Sequence, residues 1–314
     1  MDNSSTELNK AEVSSPPATL PKAWLRSRPW RGFALAVAAL VLAFAVPLSQ
    51  LVRFAAGSKL YSFILLIPFV SLYLFRIKRA DLPATSSGRN AAALFLSLGA
   101  ALLAAYWLRL RAPLSSVPDD YLALMTACFL LFFIGICGLF WGTDRLRRLA
   151  FPLAFLFFMV PIPVAVLAAI DSFLQQGSAI TAAWFYRLSG MPFFQDGLSF
   201  QLPVITLHIA PECSGIHSTL ILLVTSLLAG YVMLRSVWKR TLLVLLVIPL
   251  ALLRNGFRVF VLGELCVHVS PRMIDSPIHH QGGPIFFVLS LIPFFLILIL
   301  LQRSERMLKK EPAK

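Results

Sequence analysis

Residues 241–262 read TLLVLLVIPLALLRNGFRVFVL, and the charged side chains among them are Arg254 and Arg258. An α-helix needs about 20 predominantly apolar residues to cross the hydrocarbon core of a bilayer. This stretch therefore predicts a transmembrane helix. The whole chain has the same character, since 58% of its residues are hydrophobic and the mean hydropathy is +0.80. The sequence thus predicts an all-α polytopic membrane protein and excludes an ordinary water-soluble globule.

Seven further apolar stretches have a similar length, which predicts about eight transmembrane helices. The eight are Phe33–Gln50, Leu60–Phe75, Ala91–Leu108, Tyr121–Trp141, Leu149–Ile170, Gly215–Leu234, Thr241–Leu262 and Gly283–Leu301. The fifth contains three prolines, so we expect it to be kinked. Residues 1–30 are predicted to be a disordered cytoplasmic tail, residues 31–302 the transmembrane domain and residues 303–314 a basic cytoplasmic tail.

The basic residues predict the orientation of the chain. With eight spans both termini lie on one side, and that side holds 20 of the 28 Lys and Arg residues. The positive-inside rule then places both termini in the cytoplasm. The net charge of +14 comes from short basic runs between apolar stretches. We therefore expect membrane lipids as partners of these residues, and no nucleic acid.

The longest loop, Asp171–Ser214, falls on the outer face in this topology. Asp196-Gly197 between apolar residues, followed by rough alternation over Leu202–Ile209, predicts a small outer-face β-hairpin between the fifth and sixth transmembrane helices. Before it, Ile180–Leu188 carries aromatic residues and is predicted to be a short interfacial helix.

Cys213 is the leading candidate nucleophile. It belongs to the motif PECSGI, residues 211–216, where the outer loop becomes the sixth span. A helix N-terminus carries a partial positive charge, which favours the thiolate form of a nearby cysteine. The unpaired backbone N–H groups of Ser214 and Gly215 are candidate donors to an oxyanion formed there.

Two arginines in the seventh span are candidates for the same site. Arg258 lies roughly 26 Å along that helix, near the outer edge of the membrane, and Arg254 lies one turn deeper on the same face. A charged side chain at a helix centre costs roughly 2.5 to 3.5 kcal/mol on insertion scales, so it indicates function by default. The alternative is an arginine that snorkels to lipid phosphate. Two arginines with the adjacent Asn255 favour a functional role.

The candidate base is His279, in the sequence IHHQGGP that precedes the last span on the outer face. Histidine transfers protons near neutral pH. Its neighbour His280 is an alternative. His217 also competes for this role, because it follows Cys213 by one helical turn.

Other residues compete less well with Cys213 as the nucleophile. Cys266 lacks the setting at a helix start, although a disulfide between Cys213 and Cys266 is geometrically possible and would block the enzyme. A serine nucleophile, Ser214 or Ser218, has no better setting. Cys128 and Cys137 are predicted to pack as small apolar residues. The acidic residues show no metal-ligand spacing, so no metal and no cofactor are expected.

Three motifs together resemble the exosortase and archaeosortase family: Pro-Glu-Cys-Ser-Gly-Ile, Asn-Gly-Phe-Arg and His-His-Gln-Gly-Gly-Pro, in this order along the chain. The resemblance covers roughly Phe193–Leu301. It implies a membrane-embedded cysteine protease or transpeptidase of a bacterial inner (plasma) membrane. The catalytic residues that it implies are Cys213, Arg258 and His279.

The same resemblance implies the substrates. They are exported proteins with a C-terminal sorting signal, which consists of a short PEP-type motif, one transmembrane helix and a basic end. Cleavage would proceed through a thioester that water or an amine-bearing acceptor resolves.

Two other classes of function stay open on the sequence alone. A transporter would account for the spans and the arginines, but it predicts polar residues across the midplane, whereas here they gather near one face. An envelope-polysaccharide export component without peptidase activity would need none of the three motifs.

Overall fold

The computed structural model describes residues 28–78, 90–110, 117–211, 214–275 and 283–308. The predicted N-terminal tail up to residue 27 and residues 309–314 of the predicted basic tail lie outside the described residues. Three of the predicted site residues, Cys213, His279 and His280, also lie outside them.

Within those ranges the chain forms twelve α-helices and three short β-strands. The helices are α1 (Arg28–Ala43), α2 (Ala45–Gly57), α3 (Ile67–Lys78), α4 (Asn90–Ala105), α5 (Pro118–Trp141), α6 (Thr143–Arg148), α7 (Ala150–Phe155), α8 (Val164–Ser189), α9 (Ile216–Met233), α10 (Val237–Leu245), α11 (Val247–His268) and α12 (Gly283–Leu308). A π-helical turn, Tyr106–Leu110, extends α4, and 3₁₀ helices occupy Ser62–Leu66, Leu156–Met159 and Pro271–Asp275.

Six helices of the described chain are long and apolar enough to cross a membrane: α4, α5, α8, α9, the continuous pair α10–α11, and α12. The pair α1–α2 adds a seventh as a broken span, because its halves meet at 69°. Pro47 explains this break, since it lacks an N–H and its ring crowds the carbonyl of Ala43. The predicted second span, Leu60–Phe75, is divided between a 3₁₀ helix and α3. The predicted count of eight is therefore not reached among the described helices.

One side of the protein is marked by Trp141 at the end of α5. Phe33 near the start of α1 and Phe75 near the end of α3 pack against it, with ring centroids 4.9 and 5.5 Å away. Ser71, one turn before Phe75, donates a hydrogen bond to the carbonyl of Pro152 at 2.7 Å. The start of α7 therefore lies on this side, which we call the far side.

The C-terminal half of the chain also reaches the far side. Tyr231 near the end of α9 stacks face to face on Phe151 of α7, with 3.8 Å between the ring centroids. Glu305 near the end of α12 accepts a hydrogen bond from the backbone N–H of Ser236 at 2.9 Å. The start of the first described helix and the end of the last one therefore lie on the same side.

The opposite side carries the start of α5 and the start of α9. Asp120 of α5 accepts a hydrogen bond from the backbone N–H of Val164, the first residue of α8, at 2.8 Å. Ser178 of α8 accepts a hydrogen bond from Asn255 at 2.9 Å. Arg254, next to Asn255, donates to the carbonyl of Gly215, directly before α9. About 21 Å of α8 separates Val164 from Ser178, yet both lie on this side.

The helix α8 therefore runs along this side in its first half and does not cross the protein there. The chain returns from the far side within residues 150–163, through α7, the 3₁₀ helix that follows it and an extended segment. The predicted fifth span, Leu149–Ile170, is thus not one helix. The short interfacial helix predicted at Ile180–Leu188 is the last part of a longer one.

A three-stranded antiparallel sheet lies between α8 and α9, where the sequence predicts a two-stranded hairpin. Its strands are β1 (Phe194–Asp196), β2 (Ser199–Gln201) and β3 (Thr206–His208), in the order β1-β2-β3. Gly197 turns the chain between β1 and β2 with a positive φ of 58°. Because this sheet follows α8 and precedes α9, we call its side of the protein the sheet side.

Close packing fixes α8 against α11. A side-chain carbon at Gly256 would collide with the hydroxyl of Thr181, and one at Gly263 would collide with the hydroxyl of Tyr186. Small residues here let the two helices approach closely. The hydroxyl of Tyr186 is fully buried and donates to the carbonyl of Val259 at 3.0 Å. The inner face of the sheet, centred on Phe200, packs into the same buried cluster.

Reporter fusions provide a test of the orientation. Fusions after Lys78 and Lys239, on the far side, are expected to report the cytoplasm, because the basic residues are concentrated there. Fusions after Gln195 and Asp275, which lie on the sheet side, are expected to report the exterior. Alkaline phosphatase and fluorescent protein fusions measure this directly. A cytoplasmic signal from Gln195 would reverse the topology.

Candidate functional site

The centre of the site is the turn Ser214–Gly215, which begins α9 on the sheet side. Gly215 has a φ of 74° and caps the helix. Its carbonyl accepts hydrogen bonds from the N–H of Thr219 at 3.0 Å and from the hydroxyl of Thr219 at 2.9 Å. Ser214 is 1% exposed, and its N–H donates to the carbonyl of Pro211 at 3.1 Å. This turn is therefore packed and internally bonded.

Arg254 of α11 holds the same turn from the side. Its Nη2 group donates to the carbonyl of Gly215 and to the hydroxyl of Thr219, each at 3.1 Å. The residue is only 8% exposed. Its other amino group, Nη1, is buried and has no hydrogen-bond partner among the described residues. The guanidinium thus has one amino group that is hydrogen-bonded to the turn and one that is buried without a hydrogen-bond partner among the described residues.

Asn255, the next residue, connects α11 to α8. Its Nδ2 group donates to the hydroxyl of Ser178 at 2.9 Å, and that hydroxyl donates to the carbonyl of Leu174 at 2.6 Å. Asn255 and Ser178 are buried. The two adjacent residues Arg254 and Asn255 therefore tie α9 and α8 to α11 at the same level.

Comparison with known proteins identifies the family. The model of the transmembrane exosortase family matches residues 55–296, which is more than half of the chain. The chain is a member of the transmembrane exosortase family. No curated protein and no solved structure matched it. The match extends the predicted resemblance well beyond the C-terminal half, into α2 and the helices that follow it.

In this exosortase, the described residues reproduce part of the predicted site. Ser214, Gly215, Arg254 and Asn255 lie together at the start of α9. Arg258 is half-buried and follows Arg254 by one turn on α11. Because Cys213, His279 and His280 are outside the described residues, their convergence with Arg258 stays a prediction.

His217 lies in the first turn of α9, which begins at Ile216 after the left-handed Gly215. Because Cys213 lies outside the described residues, the predicted closeness of His217 to it stays a prediction. His217 lies about 200° around α9 from Thr219, away from Arg254. Its Nε2 atom is buried without a hydrogen-bond partner in the described chain.

The other cysteines of the exosortase are buried. Cys128 and Cys137 have no exposed surface and pack in apolar clusters, as the sequence predicts. Cys266 is also fully buried. A buried thiol is inaccessible to a peptide, which weakens the case for Cys266 as the nucleophile. No group of three potential metal ligands occurs within the described ranges.

Two partners in this site are not predicted from the sequence, namely Thr219 and Ser178. Thr219 lies four residues after Gly215, so its position on the first turn of a helix is the available signal. Ser178 lies in a segment that the sequence assigns to the loop Asp171–Ser214. Its contact with Asn255 depends on α8 packing against α11, and no local pattern indicates that packing.

Gly215→Ala is expected to impair activity more than it destabilises the fold. The left-handed conformation costs a non-glycine residue roughly 1–2 kcal/mol. In addition, the new carbon would lie 2.9 Å from Nη2 of Arg254 and 3.0 Å from Oδ1 of Asn255, so both side chains must move. Processing of a substrate by membranes that contain the variant measures the effect.

Gly190→Ala is the matched control for that substitution. Gly190 also has a positive φ, of 75°, but a carbon there would meet nothing within 4 Å. It therefore carries the backbone strain without the collision. Equal activity of the two variants would show that the contacts of Gly215 with α11 are unimportant for the reaction.

Proposed function

We propose that this exosortase-family protein is a membrane-embedded cysteine protease or transpeptidase. Its substrates are exported proteins, whose C-terminal sorting signals it cleaves through a thioester at the outer membrane surface. The observation that supports this most is the clamp on the Ser214–Gly215 turn. The buried guanidinium of Arg254 donates to the carbonyl of Gly215, and the buried Asn255 packs against the same glycine, which follows Cys213 by two residues in the sequence.

The proposed reaction begins with the thiolate of Cys213. It forms a bond to the scissile carbonyl carbon, and the C–N bond breaks with His279 protonating the leaving amine. Water or an amine-bearing acceptor then attacks the thioester carbonyl, the neutral His279 takes the proton of this nucleophile, and the C–S bond breaks to release the thiolate. Each step conserves charge and atoms without a cofactor.

Positive charge would stabilise the intermediate of this reaction. Arg258 is proposed to hold the thiolate or the oxyanion, a role that low dielectric at the membrane boundary strengthens. Of the two backbone donors predicted beside it, the N–H of Ser214 already donates to Pro211. The N–H of Gly215 is therefore the one proposed to contact the oxyanion.

The proposed setting is the bacterial plasma membrane, with both termini in the cytoplasm and the active site facing outward. Membrane lipids surround the helices, and the exported substrate reaches the site from the outer face. The basic residues on the far side and the position of the Ser214–Gly215 turn on the sheet side support this arrangement.

Co-expression with a reporter tests the function. The reporter is an exported domain followed by a short PEP-type motif, one transmembrane helix and a basic end. We expect a shorter reporter species only when the full chain is present and the motif is intact. A reporter without the motif is the control. Failure to process several motif variants in membranes with abundant folded protein would contradict the proposed function.

The three histidines are expected to differ in the same assay. His279→Ala should slow processing by roughly 10² to 10⁴, the usual contribution of a general acid or base. His280→Ala and His217→Ala should have much smaller effects. For His217 the physical reason is its place on α9, on the face away from Arg254. Full activity of His279→Ala together with loss in His217→Ala would assign the base to α9.

A further inference from the structure

Arg254 has a buried amino group without a hydrogen-bond partner in the described chain, and burying such a group is costly. Four side chains have a buried polar atom without a hydrogen-bond partner in the described chain: Asp171, His217, Arg254 and Glu264. Of these, only the arginine is permanently charged. An unpaired buried donor loses its bonds to water and gains nothing in return, and the penalty is larger when the group is charged. The Nη1 group of Arg254 is therefore a strong candidate for contact with a ligand.

The two amino groups of the Arg254 guanidinium, Nη1 and Nη2, differ in their surroundings. A guanidinium presents five N–H donors in a planar fork. The two on Nη2 are directed at the carbonyl of Gly215 and the hydroxyl of Thr219. Nη1 is bonded to the same carbon, so its donors are held beside the Ser214–Gly215 turn. A purely structural clamp would need only the Nη2 side.

The position of the fork is fixed by its surroundings. Asn255 is hydrogen-bonded to Ser178 of α8, and Gly256 packs directly on Thr181. These two contacts fix the rotation of α11 about its axis relative to α8. The backbone of Gly215 lies so close to Nη2 that no β-carbon fits between them. Donors held in this way need no reorganisation when a ligand arrives, which is the condition for strong electrostatic stabilisation.

We propose that Arg254 is a substrate-binding residue of the exosortase site. Its Nη2 group positions the turn that follows Cys213, and its Nη1 group donates to an oxygen of the bound peptide. That oxygen is either the scissile carbonyl oxygen, which becomes negatively charged during acylation, or a carboxylate of the sorting signal. This inference rests on the proposed function.

Arg254→Lys tests the roles of the two amino groups separately. A lysine ammonium can still donate to the carbonyl of Gly215, but it is a point charge without a second, oriented pair of donors. We expect the turn to stay ordered and the activity to fall. Removal of one preorganised donor to an oxyanion lowers kcat by about 10² to 10³.

Thr219→Val is the matched control. It removes one acceptor of Nη2 and the hydrogen bond that the Thr219 hydroxyl donates to the Gly215 carbonyl, and it leaves that carbonyl and the Nη1 group in place. We expect a clearly smaller fall in kcat than in Arg254→Lys. If Thr219→Val and Arg254→Lys are impaired alike, the clamp on the turn explains the whole effect and Nη1 has no part in the reaction.

Two measurements on purified protein in lipid nanodiscs complete the test. Amide hydrogen exchange of peptides that cover residues 214–221 reports the order of the turn without any substrate. Steady-state cleavage of a reporter peptide gives kcat and KM. A fall in kcat at unchanged KM assigns Nη1 to the scissile carbonyl, and a rise in KM assigns it to a carboxylate of the signal.

The outcomes separate the failure of this inference from the failure of the proposed function. If the wild type cleaves, Cys213→Ala does not, and Arg254→Lys retains wild-type kcat and KM, then Arg254 binds no substrate and the function stands. If the wild type cleaves no reporter, the proposed function fails and the role of Arg254 fails with it. Loss of protection over residues 214–221 in Arg254→Lys, matched by an equal loss of activity in Gly215→Ala, would also reduce Arg254 to a structural residue.

Discussion

Cys213→Ala is expected to leave the co-expressed reporter at full length and to eliminate any thioester adduct between enzyme and substrate. The physical reason is that the acyl group needs a nucleophile beside the clamped turn. Cys266 cannot replace the missing thiol, because it is fully buried in α11. Immunoblotting of membranes for the reporter, with and without hydroxylamine to release thioesters, measures both effects.

Ser214→Ala is the parallel variant and is expected to keep substantial activity. Ser214 is buried, and its hydroxyl accepts a long hydrogen bond of 3.4 Å from the N–H of Ile216. It therefore contributes modestly to the helix start and is not presented to a substrate. Full activity of Cys213→Ala together with loss of activity in Ser214→Ala would identify Ser214 as the nucleophile and show that the cysteine mechanism is wrong.

Gly256→Val is expected to have the largest effect on stability. Its first side-chain carbon would collide with the hydroxyl and Cβ of Thr181 and would lie 2.9 Å from the backbone nitrogen of Ala182. A backbone atom cannot move aside, so α8 and α11 must separate. Overpacking of this kind typically costs about 1–3 kcal/mol, and here it also breaks the bond between Asn255 and Ser178. The thermal midpoint of the detergent-solubilised protein, followed by size exclusion, should fall clearly.

Gly57→Val is the control for that substitution. Gly57 ends α2, and a carbon there would meet nothing within 4 Å. The same residue type is thus introduced without a collision, and a surface change of this sort usually stays within about 0.5 kcal/mol. Equal thermal midpoints for the two variants would show that the contact between α8 and α11 does not determine stability.

Much of the architecture could be predicted because transmembrane helices depend on local composition. The apolar stretches at α4, α5, α9, α11 and α12 are visible in the sequence, since each alone satisfies the length that a bilayer requires. The turn at Asp196-Gly197 could be predicted for a similar reason, because the residue types of a tight turn are local.

The remaining features depend on tertiary contacts that no local pattern encodes. The middle of α8, around Asp171 and Gln175, reads as a loop in the sequence. It belongs to one long helix, whose Thr181 and Tyr186 pack on Gly256 and Gly263 of α11. Spacing places His217 on the face of Cys213 only if the helix begins before residue 215. Gly215 has a left-handed conformation, and the helix begins only after it, at Ile216.

The course of α8 along the sheet side has a consequence for which proteins can be cut. Large apolar side chains project from one face of the first half of this helix, among them Val166 and Phe173, which are 49% and 54% exposed. In a bilayer such a face would lie at the boundary between acyl chains and headgroups. The Ser214–Gly215 turn, tied to α8 through α11, is then held at a set depth. An enzyme of the proposed kind would select substrates by the distance between the scissile bond and the end of the substrate's own transmembrane helix.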